Sequence, residues 1–160
     1  MLSTAVGPAQ FIGIGELRVV REPERLRTVL GSCIGVALFD RKAMLAGLSH
    51  VILPSSKEGS GARGKFADTA VDDLIQQMME AGADRARLCG KMVGGARMFG
   101  AESQSDLGSR NIEAVRDRLR HHRIAIIAED VGGMKGRKMF ADPATAAVEV
   151  QIIGEAPRVI

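Results

Sequence analysis

Tryptophan and tyrosine are absent from the 160 residues, and five phenylalanines make up the whole aromatic content. Binders of single-stranded nucleic acid stack bases on aromatic platforms set in a basic groove. With so few rings, and 22 Lys+Arg against 19 Asp+Glu for a net charge of only +3, the chain does not fit that class, and no nucleic-acid partner is expected. Basic residues gather in RDRLRHHR (116–123) and KGRK (135–138). A solvated helix end and a basic loop account for them, with binding of a polyanion as the competing reading.

Cysteine is scarce as well: Cys33 and Cys89 stand 56 positions apart. That is neither a secreted disulfide framework nor a CxxC metal knuckle, so two reduced thiols and no metal or organic cofactor are expected. No segment approaches the roughly 18 consecutive apolar residues of a membrane span, and MLSTAVGPAQFIGIG lacks the basic and apolar regions of a secretion signal. The expectation is one domain over 1–160, in the cytoplasm, without membrane insertion.

What is present is an order of elements. FIGIGELRVV and IGVALF read as strands separated by REPERLR (21–27), and MLAGLSHVIL, stopped by Pro54, as a third. SSKEGSGARGK (55–65) reads as a mobile surface loop. Val71, Leu74, Ile75, Met78 and Met79 recur at helical spacing, with a capping box expected at Thr69 and Asp72, a stop at Gly82, and both methionines as core filler. A strand over 86–93 follows. Ser109 or Asn111 is expected to cap a second helix buried through Ile112, Val115 and Leu119, ahead of strands at 124–128 and 146–153. Each helix feeds a strand ending in Val-Gly-Gly and continuing to Met-Phe, in VGGARMF (93–99) and VGGMKGRKMF (131–140). These read as two related helix-strand-turn units whose glycines permit positive φ or close packing. Neither has the spacing of a phosphate loop.

Of three histidines, His121 and His122 lie among arginines near a helix end, whereas His50 sits in the apolar AGLSHVILP. Free cysteine is commonly buried, and for Cys89 packing is a sufficient reading. Cys33 follows Gly31 and Ser32, small residues that leave the thiol approachable, and amide N–H groups of a Gly-Ser-Cys turn can converge on an oxyanion. A hairpin between IGVALF and LSHVIL would return His50 toward Cys33 as candidate base and nucleophile. Thr28, five positions before Cys33, is the third polar group expected near that end of the strand. Its hydroxyl, or a backbone carbonyl, could accept from the imidazole and fix its tautomer; packing as a β-branched strand residue is the alternative.

Through FIGIGEL, TVLGSCIGVALFD, AGLSHVILP, KFADTAVDDLI, KMVGGARMF, GSRNIEAV and AEDVGGMKGRKM, the sequence resembles the CheD family of chemoreceptor glutamine deamidases. The resemblance implies an α+β or α/β sandwich, a mixed sheet packed with two main helices, similar to the catalytic domain of cytotoxic necrotizing factor toxins. It implies Cys33 as nucleophile, His50 as base and Thr28 as the match to the third catalytic residue. Arg27 is the alternative aligned position, and a backbone carbonyl would then take that role. Phe66 stands where the family commonly has tyrosine.

The activity implied is hydrolysis of receptor glutamine to glutamate without a cofactor, with the oxyanion held at Gly31, Ser32 and Cys33. The implied partners are the cytoplasmic helical region of methyl-accepting chemotaxis proteins and, in some members, the CheC phosphatase. A non-enzymatic module binding receptors or CheC, and a thiol protease or amidase of other specificity, are the competing readings.

Overall fold

In the computed structural model residues 7–98 and 106–160 are described. The expected N-terminal features at 1–6 and Phe99, which closes the first Val-Gly-Gly echo, lie outside them. Among the described residues ten strands form two five-stranded sheets. The first contains β1 (Ala9–Phe11), β3 (Arg25–Leu30), β8 (Arg137–Ala141), β9 (Val148–Gln151) and β10 (Arg158–Val159), in the order β1-β3-β8-β9-β10. The second contains β2 (Leu17–Arg21), β4 (Ile34–Asp40), β5 (Leu45–Val51), β6 (Cys89–Gly94) and β7 (Ala125–Val131), in the order β2-β5-β4-β6-β7. Each sheet has one parallel pair, β1 with β3 and β6 with β7, so both are mixed. Helices α1 (Ala67–Glu80) and α2 (Leu107–His121) cover the second sheet.

The central hairpin β4–β5 is buried on both faces, which is why its sequence is almost continuously apolar. Ile34, Val36 and Leu38 point to the helices, where Val71, Leu74, Met78, Val115 and Leu119 meet them. Ala37, Phe39, Ala46 and Leu48 point to the first sheet and meet Leu26, Leu30, Met139 and Val150. Complete burial of each such Leu, Ile or Phe contributes about 1.5–3 kcal/mol, and two cores result, one on each face of the second sheet.

The expected mixed sheet with two helices is present, and the other sheet completes the sandwich. Several local expectations change. FIGIGELRVV is broken: β1 and β2 belong to different sheets, and the turn between them passes through Gly15 at φ +77°. Part of REPERLR is strand, because Leu26, Thr28 and Leu30 alternate inward against exposed Arg27 and Val29. The 55–65 segment holds two short 3₁₀ turns, tied down by Ser56 N–H donating to Asp68 and by a bidentate Arg63–Asp73 pair.

Helix α1 has no capping box: it starts two residues before Thr69, whose hydroxyl donates to the Arg63 carbonyl. Gly82, at φ +111°, does follow the helix end. Met78 is in the core while Met79 is 45% exposed. Neither Ser109 nor Asn111 is a cap, since α2 begins at Leu107 after Asp106. The expected strand at 86–93 starts at Cys89, after a 3₁₀ turn. Strand β8 falls in the echo region, and β10 follows the strand expected to be last.

Candidate functional site

The Gly31-Ser32-Cys33 turn carries the chain from β3 in one sheet to β4 in the other. All three of its carbonyls are held. Ala96 N–H donates to Gly31 O at 2.9 Å, Asn111 Nδ2 to Ser32 O at 3.1 Å, and Gly95 N–H to Cys33 O at 2.8 Å. The N–H groups of Ser32 and Cys33, by contrast, have no acceptor among the described residues. Gly94 must be glycine for this contact: its φ is +114°, and a Cβ would stand 2.2 Å from Cys33 O.

His50 lies on β5 opposite Gly35 of β4, so Cys33, two residues before Gly35, is its diagonal neighbour. By strand parity both face the first sheet, at a diagonal spacing of roughly 7–8 Å between backbone positions. Across the sandwich Thr28 of β3 completes the cluster. Its Oγ1 lies 2.6 Å from the Ile12 carbonyl oxygen and 2.8 Å from His50 Nδ1. A carbonyl cannot donate, so the single hydroxyl hydrogen goes to Ile12 and the hydroxyl oxygen accepts from Nδ1–H. The imidazole is thereby held with its proton on Nδ1 and the Nε2 lone pair free. Nε2 is buried and has no partner among the described residues, Cys33 Sγ included. The Ile12–Glu16 turn also grips the His50 backbone, with Gly15 N–H donating to His50 O and His50 N–H to Glu16 O.

Burial sets the electrostatics. It raises the Cys33 thiol above its ordinary 9.0. It lowers His50 below 6.5, against the weaker opposing effects of the Ile12 carbonyl and the Glu16 carboxylate. Each change favours the neutral form of its group.

The two Val-Gly-Gly echoes are neighbours in space, because β6 and β7 pair in parallel with Gly94 opposite Val131. Gly132 N–H donates to Gly94 O, and Arg97 N–H to Gly133 O. Buried Arg137 braces the second echo through the Asp130 side chain at 2.6 Å and the carbonyls of Asp130, Gly132 and Lys135. Between the echoes and the start of α2 opens a cavity of about 440 Å³ that reaches Ser32. Gly31 borders a second hollow of about 770 Å³, on the first sheet, with exposed Val29 and Ile153 at its wall.

Sequence reasoning singled out Gly31, Ser32, Cys33, His50 and Thr28, and the structure brings them together around one turn. It missed the Ile12 carbonyl and Asn111; a polar amide on the buried stripe beside Ile112 was the available signal for the latter. Phe66 is buried and bridges to Leu53. Cys89 faces Phe39 O at 3.8 Å. The basic clusters are met by carboxylates: Arg116 by Glu113 and Glu129, Arg118 and His122 by Asp72, Arg120 by Asp117, Lys135 by Glu155. Among the described residues no group of three His, Cys, Asp or Glu is placed to hold a metal, and no helix is long and apolar enough to cross a membrane.

Residues 52–152 match the family described as CheD chemotactic sensory transduction. A probable chemoreceptor glutamine deamidase CheD of Clostridium botulinum (strain Eklund 17B / Type B) is 46% identical over 149 residues, covering 89% of this chain and 92% of that one. The chemoreceptor glutamine deamidase CheD of Halalkalibacterium halodurans is 41% identical over 156 residues, covering 93% and 96%. The crystal structure of the hypothetical protein YfiH from Bacillus licheniformis aligns with a TM-score of 0.46 at 11% identity, over 79% of this chain and 60% of that one. On its match to the family and its likeness to the two chemoreceptor glutamine deamidases over nearly their whole length, the chain belongs to the CheD family.

Proposed function

We infer that this protein hydrolyses the side-chain amide of glutamines on chemoreceptors, converting them to glutamate, with Cys33 as nucleophile and His50 as base. The observation that carries the assignment is the Thr28–His50 contact, which leaves Nε2 as an unprotonated, unpartnered base on the face that Cys33 shares. Thr28 and the Ile12 carbonyl orient the ring.

In the reaction His50 Nε2 takes the thiol proton as Sγ bonds to the carboxamide carbon. The charge that develops on the amide oxygen meets the N–H groups of Ser32 and Cys33, which are free because the turn is held by its carbonyls. The tetrahedral centre then collapses. Its C–N bond breaks, the imidazolium proton leaves on ammonia, and a thioester remains. Water, deprotonated by His50, attacks the thioester; glutamate departs and the thiol is restored. One water is consumed and one ammonia released, with no redox change. A pair shifted toward neutrality suits this sequence, because proton transfer and attack are coupled only once substrate is in place.

The substrate is the cytoplasmic helical region of methyl-accepting chemotaxis proteins, and the protein acts in the cytoplasm. The CheC phosphatase is a second occupant of the same cleft, and competition between CheC and receptor tests that arrangement. The activity is tested by mass spectrometry of a receptor cytoplasmic fragment incubated with wild type, Cys33→Ala or His50→Ala. Wild type adds about one dalton at defined glutamines, and each variant loses at least about 1,000-fold in rate. Unchanged receptor, with binding demonstrated, would leave a non-enzymatic binding module; chain cleavage would indicate a protease.

A further inference from the structure

We propose that Asn111 is a positioning residue that aims the Cys33 N–H at the substrate oxyanion. The proposal rests on the assignment of Cys33 as nucleophile.

Asn111 lies on α2 with its side chain fully buried, 78 residues beyond Cys33 in sequence. Its Nδ2 donates to Ser32 O at 3.1 Å and to Ile52 O at 3.0 Å. Both partners are carbonyls that can only accept, so the orientation of the amide is settled by chemistry. Its Oδ1 is buried with no partner among the described residues. A side chain that leaves one polar atom unpaired to place two hydrogens on two particular carbonyls is badly suited to a purely stabilising role.

The Ser32 carbonyl and the Cys33 N–H belong to the same planar trans peptide, where they point in opposite directions. By drawing Ser32 O toward α2, Asn111 sends the Cys33 N–H away from it. The same bond polarises the peptide and makes that N–H a better donor. The neighbouring peptide is held likewise, since Ala96 N–H on Gly31 O sets the direction of the Ser32 N–H. The second Nδ2 bond, to Ile52 O, ties the same amide to the chain two residues past His50. One side chain thus links the donor, the nucleophile turn and the strand of the base.

Asn111→Leu keeps the approximate volume and removes both hydrogens; Asn111→Asp keeps the shape. Each is compared with wild type for receptor deamidation and, separately, for alkylation of Cys33 by iodoacetamide. Alkylation at a saturated carbon develops no oxyanion on the turn, so it reads thiol accessibility and basicity alone. For folded variants the expected result is a fall in kcat of about 100-fold with KM changed less than about 3-fold, and an alkylation rate and pH profile within about 2-fold of wild type.

A kcat within about 3-fold of wild type would overturn the proposal. So would a parallel loss of alkylation, which would mean general distortion of the turn, and so would failure of both variants to fold, which would make Asn111 structural only. If wild type itself deamidates nothing, the functional assignment fails in that control before either variant is compared.

Discussion

The two ends of strand β4 handle buried polarity in opposite ways. At the far end Asp40 is fully buried, and every hydrogen-bonding direction is met: Arg87 grips both oxygens at 2.8 and 2.9 Å, and the N–H groups of Asp84 and Ala43 donate at 2.8 and 3.1 Å. At the near end Cys33 and His50 are almost as buried, yet His50 Nε2 and Asn111 Oδ1 have no partner among the described residues. The Arg87 hydrogen bonds hold Asp40 down to about 2, firmly charged. Burial, opposed only weakly at His50 by the Ile12 carbonyl and the Glu16 carboxylate, moves Cys33 up and His50 down, both toward neutrality. Satisfied buried groups lock a structure; unsatisfied ones stay available for a substrate.

Breaking the far end should therefore cost stability and spare chemistry. Asp40→Asn loses the charge that Arg87 pairs with and one acceptor, and urea denaturation should show a loss of about 2–4 kcal/mol. Deamidation at a temperature where the variant is folded should stay within about 2-fold of wild type; a large fall in kcat would mean the two ends are coupled. Thr28→Val does the reverse at the near end. It keeps the β-branched shape but removes the acceptor of Nδ1–H, and kcat/KM should fall about 10-fold, with stability lowered by about 1 kcal/mol. An unchanged rate would hand the orienting role to the Ile12 carbonyl alone.

Acid should separate the ends most gently. Asp40, lowered from 3.8 to about 2 in the fold, contributes stability that is complete above the unfolded value and is lost as pH falls through the folded one. His50 is lowered too, so its burial favours the fold above 6.5, and that contribution declines as pH drops below 6.5 and the unfolded chain binds the proton first. Because catalysis needs the Nε2 lone pair, the acid limb of kcat/KM should lie below pH 6.5. A limb above 6.5 would mean that the imidazole is stabilised as a cation.

What could be read ahead of the structure was local. Cys33 immediately precedes one strand and His50 lies in the next, with a short turn joining the two strands, so hairpin pairing alone brings them near each other. The helical stripe of α1 and the buried Ile112, Val115 and Leu119 of α2 followed from spacing. The first sheet was harder, because Arg25–Leu30 and Arg137–Ala141 alternate charged or polar residues with buried ones and look like connecting segments. Segment 55–65 read as loose because its tethers, Asp68 and Asp73, come from the following helix.

By itself the sequence determined the family, the nucleophile and base candidates, and the glycines that the turns require, since each depends on residues near one another along the chain. Only the tertiary structure decided that the Thr28 hydroxyl donates to Ile12 and accepts from His50, that the two Val-Gly-Gly turns stack beside the Cys33 turn, and that Asn111 reaches Ser32 from 79 residues away. Hydrogen bonds act over about 3 Å of space whatever the separation along the chain, and the sheet order that creates those contacts comes from burying both faces of one hairpin at once.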